Sequence, residues 1–193
     1  MKRLLIAAIS SLYVIMACSP ADASADEYVA GAGSTASNTL SNKRISSITQ
    51  DRHGHIWIGT FRGLNRYDSH EYHQYFCSNA DNAGLPDNQI QCLHTDLSGR
   101  LWVGTVNGIC RYQDDDSFKF IPMYGIKSQN IVQILESRSG RIIINTADAI
   151  SIYNPESECF ESRLTVYSDD WKYISRAYVS QDVRLWVIGD KIY

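Results

Sequence analysis

This 193-residue chain predicts an all-β fold of β-propeller blades, and three observations carry that expectation. The stretch ITQDRHGHIWIGTFRGLNRYD, Ile48 to Asp68, returns as LHTDLSGRLWVGTVNGICRY, Leu93 to Tyr112, at a constant offset of 45 residues. The apolar residues that open successive units, Ile45, Ile90, Ile131 and Ile174, are spaced by 45, 41 and 43, a period typical of propeller blades. The second arm of each unit is apolar on both faces: Ile56-Trp57-Ile58-Gly59, Leu101-Trp102-Val103-Gly104, Ile142-Ile143-Ile144 and Leu185-Trp186-Val187-Ile188. A sheet wetted on one side would alternate apolar with polar residues. Sheets stacked radially cover both faces, and a tryptophan fills the wedge between neighbours.

Each unit reads as four short antiparallel strands. In the first these are Ile45 to Gln50, His55 to Thr60, Leu64 to Asp68 and roughly Tyr72 to Cys77, all rich in β-branched or aromatic residues. Gly54, Gly99 and Gly140 punctuate the polar turns RHGH, LSGR and RSGR. The third copy, Ile134 to Tyr153, keeps Gly140, Thr146 and Tyr153 but carries Ile143 at the tryptophan position; the fourth restores it as Trp186. The expected repeat core is Trp57, Gly59, Thr60, Trp102, Gly104, Thr105, Ile143 and Trp186. The glycine after each tryptophan is expected to leave room for close approach. Asp51 and Asp96 are expected to accept turn hydrogen bonds.

Residues 1–25 read as an export signal: Lys2-Arg3, an apolar run from Leu4 to Ala17, then Ala23-Ser24-Ala25 before the cut. The competing reading is a lipoprotein box ending at Cys18, which Met16 weakens. Residues 26–39 read as a flexible lead-in without periodicity, and 40–193 as an incomplete propeller with blades at about 40–80, 85–124, 127–168 and 171–193. About three and a half blades do not close a ring, so the sequence reads as the N-terminal part of a longer propeller. A formal net charge of −3 and the absence of a basic tract argue against nucleic acid. Cys77, Cys92, Cys110 and Cys159 are irregularly spaced; Cys92 and Cys110 fall on strands that are not neighbours, so free thiols are as well supported as a disulfide.

The search for chemistry yields no catalytic, cofactor or metal residue. His55, His70 and His73 suggest a metal set, but no carboxylate or cysteine stands at ligand spacing to complete it, so they read as solvated turn residues. Asp114-Asp115-Asp116 reads as a solvated turn. There is no nucleophile elbow, phosphate loop or recognisable carboxylate pair. The ligand-binding residues are not assigned. Propellers present ligands on loops at the ends of the channel, which directs attention to 79–86, 124–129 and 168–172 and to Tyr72, Tyr75, Tyr124, Trp171 and Tyr173 as aromatics able to stack on sugars.

The pattern Asp-x-x-Gly-x-Ile/Leu-Trp-Ile/Val-Gly-Thr-x-x-Gly-Ile/Leu-x-Arg-Tyr resembles the two-component regulator propeller repeat, which builds the periplasmic sensor region of hybrid two-component histidine kinases in Bacteroides-like bacteria. The third copy departs from it at Ile143, Asn145 and Ala147. The resemblance implies an exported, periplasmic ligand-sensing segment of a membrane-bound sensor controlling glycan utilisation. Its implied partners are an oligosaccharide, the remaining blades and kinase region of a parent protein, and a second copy of that parent. Membrane association would come through regions beyond the chain or a lipidated Cys18. No catalytic activity is expected, since kinase motifs are absent. The rival readings are a free-standing exported binding module or lipoprotein, and a fragment of a propeller-fold glycan lyase or hydrolase.

Overall fold

The computed structural model describes residues 35–77, 84–165, 174–179 and 185–189. The export signal with Cys18, residues 26–34 of the lead-in, residues 79–83 and 168–172 of the variable connections, and Trp171 and Tyr173 lie outside the described residues.

Sixteen strands and no helix occur among the described residues. Blade 1 contains β1 (Thr35–Ser37), β2 (Ile45–Gln50), β3 (Ile56–Thr60), β4 (Gly63–Tyr67) and β5 (Tyr72–Tyr75), in the order β1-β5-β4-β3-β2. Blade 2 is β6 (Ile90–Thr95), β7 (Leu101–Thr105), β8 (Gly108–Tyr112) and β9 (Phe118–Ile121), in chain order. Then come β10 (Met123–Tyr124), β11 (Ile131–Glu136), β12 (Ile142–Thr146), β13 (Ala149–Asn154) and β14 (Cys159–Thr165), which form blade 3 in the order β10-β14-β13-β12-β11. Blade 4 is the pair β15 (Ile174–Val179) and β16 (Leu185–Gly189). The first strands β2, β6, β11 and β15 lie side by side in that order.

Two expected boundaries are corrected. Thr35–Ser37 of the supposed flexible lead-in pairs antiparallel with β5, and Met123–Tyr124, assigned from sequence to blade 2, pairs in parallel with β14 of blade 3. Both additions bond through main-chain groups on an outer edge, which no side-chain pattern encodes.

Every blade carries the same irregularity. The register between first and second strands shifts at Ile45/Ser47, Ile90/Cys92, Ile131/Gln133 and Ile174/Arg176. A bulge adds local twist, and its recurrence in blade 4 shows the common backbone where the motif is eroded.

The second strands lie at the centre of the packing. Leu101–Thr105 and Ile142–Thr146 are buried throughout, as are the last four residues of Ile56–Thr60. Trp57, Leu64, Tyr75, Leu85, Ile90, Val103, Cys110 and Phe118 share the core between blades 1 and 2, and Trp102, Ile109, Ile121, Ile131, Ile144, Tyr153 and Phe160 that between blades 2 and 3. Trp57 and Trp102 are completely buried. The following glycine is required by the neighbouring blade: a Cβ on Gly59 would lie 2.6 Å from Ile90 Cγ2, and one on Gly104 2.7 Å from Ile131 Cγ2. Thr60 and Thr105 tie the two-residue turns, donating from Oγ1 to the carbonyls of Gly63 and Gly108. Cys92, Cys110 and Cys159 are free thiols, with Cys110 and Cys159 buried.

Candidate functional site: a cleft at the rim of blades 1 and 2

The first-to-second-strand turns and the third-to-fourth-strand turns emerge at one end of each blade, as an up-and-down strand order requires. At that end the turn of residues 51–55, its counterpart at 96–100 and the turn at 113–117 meet around a cleft of about 340 Å³. Arg52, His53, Arg100, Arg111, Gln113 and Asp114 contribute its polar lining, with Tyr112 beside them.

The floor is set by an aspartate clasped to each tryptophan. Asp51 accepts the indole Nε1–H of Trp57 at 2.8 Å, the backbone amides of His53 and His55 at 2.8 and 3.0 Å, and lies 3.0 Å from His55 Nδ1. Asp96 repeats this with Trp102 Nε1 at 2.8 Å, the amides of Ser98 and Arg100, and Arg100 Nε at 2.7 Å. Burial alone would raise both carboxyls. The hydrogen bonds, led by the indole in each case, outweigh it and hold them below the usual carboxylate range. The turn bonds were legible in the sequence; the indole bond was not, although Asp recurs six residues before Trp in both good copies.

Behind the cleft, Asp116 is the centre of a knot between blades 1 and 2. Its Oδ1 accepts from Tyr75 Oη and Tyr112 Oη, each at 2.7 Å, and from Arg66 at 3.1 Å, while Arg66 also donates to Tyr112 Oη at 2.8 Å. Burial, reinforced by the Asp116 bond, pushes the Tyr112 hydroxyl up to about 12 and raises Tyr75 as well. The acidic run is therefore not a simply solvated turn. Asp115 caps Ser117, Asp114 reaches Arg52 at 2.8 Å, and Asp116 joins two blades. Arg111 repeats the pattern of Arg66 more loosely, 3.9 Å from Glu158 of blade 3.

Two cations of the cleft are paired directly, Arg52 by Asp114 and Arg100 by Asp96, while Arg111 stands 3.9 Å from Glu158, whose closer partner is Lys119; Asp51 adds a third carboxylate to the lining. What remains is a mixed set of donors and acceptors without a surplus of one charge.

The other expected positions divide. Tyr75 is 4 % exposed and stacks on Trp57 with ring centroids 5.5 Å apart, so it belongs to the core rather than to a sugar platform. Tyr72 packs on Tyr67, and Tyr124 is 62 % exposed. The connection around Lys127 and Ser128 is pinned by their amides donating to Asp148. Trp186 lies on β16 opposite Tyr178 in register. The histidines separate: His55 bonds Asp51, whereas His73 Nε2 lies 3.1 Å from Asp68 Oδ2. The expectation that no carboxylate stands near these histidines is corrected, because the third-to-fourth-strand turn folds Asp68 and Glu71 against His73. The backbone amides of Glu71 and His70, then the His73 ring, hold the Asp68 carboxyl well below the usual carboxylate range.

Antiparallel blades side by side on their first strands, with a tryptophan wedge in each well-formed seam, define a segment of a β-propeller. Within that class, residues 39–62 and 84–107 match the model of the two-component regulator propeller family. No curated protein matches the chain. Among solved structures, the extracellular domain of a hybrid two-component system from B. thetaiotaomicron is similar at 20% identity and a TM-score of 0.68, over 77% of this chain and 22% of that one. The extracellular domain of a second such system from the same organism is similar at 20% identity and a TM-score of 0.61, over 78% of this chain and 22% of that one. Virginiamycin B lyase from Staphylococcus aureus is similar at 18% identity and a TM-score of 0.60, over 82% of this chain and 53% of that one. The chain thus spans about a fifth of the extracellular domains it resembles.

Proposed function

We propose that this chain is an exported, extracytoplasmic ligand-sensing segment of a two-component sensor, that it reads glycan fragments, and that it performs no catalytic step. The observation that carries the reading is the match of the two-component regulator propeller repeat to blades 1 and 2. Those blades also frame the rim cleft. Its interleaved guanidinium, amide and carboxylate groups offer donors and acceptors at close spacing, beside the amphipathic ring of Tyr112. Asp51, Asp96 and Asp114 offset Arg52, Arg100 and Arg111 and leave no excess positive charge for a phosphate, so a neutral, hydroxyl-rich ligand suits the cleft best. Binding there would bear on the seam itself, because Asp51, which lines the cleft, holds Trp57.

The test is calorimetric titration of the full chain with a panel of neutral oligosaccharides, the sugar being recovered afterwards and weighed by mass spectrometry. Saturable binding, reduced at least tenfold by Gln113→Ala, with the sugar recovered intact, is the expected result. Absence of saturable binding across the panel would refute the glycan reading. Recovery of cleaved sugar would favour the lyase-like reading that the virginiamycin B lyase likeness keeps open as a matter of fold.

A further inference from the structure

The turn between β4 and β5 gathers three metal-ligating side chains that the repeat does not require. The ligand atoms of Asp68, Glu71 and His73 all lie within 4.8 Å of one another. His73 Nε2 stands 3.1 Å from Asp68 Oδ2 and 3.7 Å from Glu71 Oε1. Donors bound to tetrahedral zinc at about 2.0–2.2 Å are roughly 3.3–3.6 Å apart, so a single ion fits among these atoms after small side-chain movements. The backbone prepares the arrangement. Asp68 Oδ1 accepts the amides of His70 and Glu71, each at 3.0 Å, which leaves Oδ2 for His73. Glu71 and His73 are two residues apart on extended chain and so share a face.

The other blades carry different chemistry at the same register. His73 stands opposite Arg66 in blade 1; Lys119 stands opposite Arg111 in blade 2, and Glu161 opposite Ile152 in blade 3. Blade formation therefore does not call for the imidazole.

We propose that Asp68, Glu71 and His73 bind a divalent transition metal, zinc by the chemistry of the donors, with the remaining coordination position left to water or an external ligand. One imidazole nitrogen with two carboxylate oxygens is a borderline donor set suited to zinc. Calcium and magnesium take more ligands, all of them oxygen. The ion replaces the proton between His73 and Asp68, so binding weakens in acid. It also cross-links the turn to β5 at the residue that pairs with Ala36, and so braces the edge on which β1 is laid.

The test uses the tag-free full chain, stripped with chelator and returned to chelator-free buffer, titrated with zinc and followed by calorimetry and thermal unfolding. One equivalent binds and Tm rises. Affinity falls at least tenfold in His73→Gln and in Glu71→Gln, and is unchanged in Glu156→Gln, an exposed carboxylate elsewhere. Glu71 is 43% exposed, so its variant stays informative if His73→Gln does not fold. Failure of the parent chain to bind zinc, or affinity in both ligand variants undiminished from the parent's, would overturn the site. Magnesium or calcium binding as tightly as zinc would overturn the choice of metal.

Discussion

The seam between blades 1 and 2 and the seam between blades 3 and 4 use one backbone plan with different side chains. In the first, Trp57 is clasped by Asp51 and flanked by Tyr75 and Tyr112, and Arg66 reaches across to Asp116. In the second, Ile143 stands for the tryptophan, Ser137 for the aspartate and Ile152 for the arginine. The described core there is Ile143, Ile150 and Ala177, with Leu135 and Ile152 against it. The three polar-aromatic partners are replaced together. That is what physics demands of a clasp, since an aspartate left beside an aliphatic chain would be a carboxylate without its donor. Asn145 occupies the glycine position fully buried, with neither amide atom hydrogen-bonded among the described residues, a cost of about 1–3 kcal/mol per unsatisfied group. The strong seam is a coupled unit, and the weaker one shows what remains when the unit is removed.

The contrast can be broken most severely at the wedge. Trp57→Ala should cost about 3–5 kcal/mol in urea unfolding of the full chain, and Ile143→Ala should fall toward the low end of about 2–5. Equal losses would mean that both seams carry the fold alike.

The clasp comes next. Asp51→Ala strands the Trp57 indole N–H and the amides of His53 and His55, costing about 1–3 kcal/mol, while Ser137→Ala removes only the Oγ contacts to the Arg141 amide and to Ser139 Oγ and costs less. Because the folded Asp51 and Asp96 carboxyls sit below their ordinary value of 3.8, their stabilisation is full above that pH and is lost as pH falls through the lower, folded values. Acid titration of stability should therefore steepen below about pH 4 in the parent chain and flatten in Asp51→Ala. A parallel slope would show that the clasp is not the acid-sensitive element.

The smallest effect is expected at the rim. Arg52 and Asp114 are 47% and 81% exposed, so Arg52→Ala should change stability by only about 0–1 kcal/mol, and the change should vanish in high salt. A larger loss would make the cleft wall part of the seam.

The wedge and its glycine were legible because both are local in the sequence: a tryptophan in a strand apolar on both faces, followed by the one residue that admits a neighbouring isoleucine. The Asp116 knot was not, since it draws Arg66 and Tyr75 from blade 1 and Tyr112 from blade 2, and in one dimension three successive aspartates look alike. The added strands β1 and β10 were hidden for another reason: they are recruited by main-chain bonding to an open edge, to which composition is nearly blind. Asp68 and Glu71 were not legible as partners of His73, because it is the fold of the turn between β4 and β5 that brings both carboxylates back against the ring.

One backbone detail reaches further. The amide of Gly63 donates to the carbonyl of Asn88, and that of Gly108 to Gln129, so the turn of one blade grips the chain just before the next begins. The connections entering these grips are unequal, residues 76–89 in one case and 122–130 in the other. Whatever length is inserted upstream, the next blade starts from the same handhold. Such a joint separates the pitch of the array from the content of its loops, leaving evolution free to rewrite what the surface reads without disturbing how the blades are stacked.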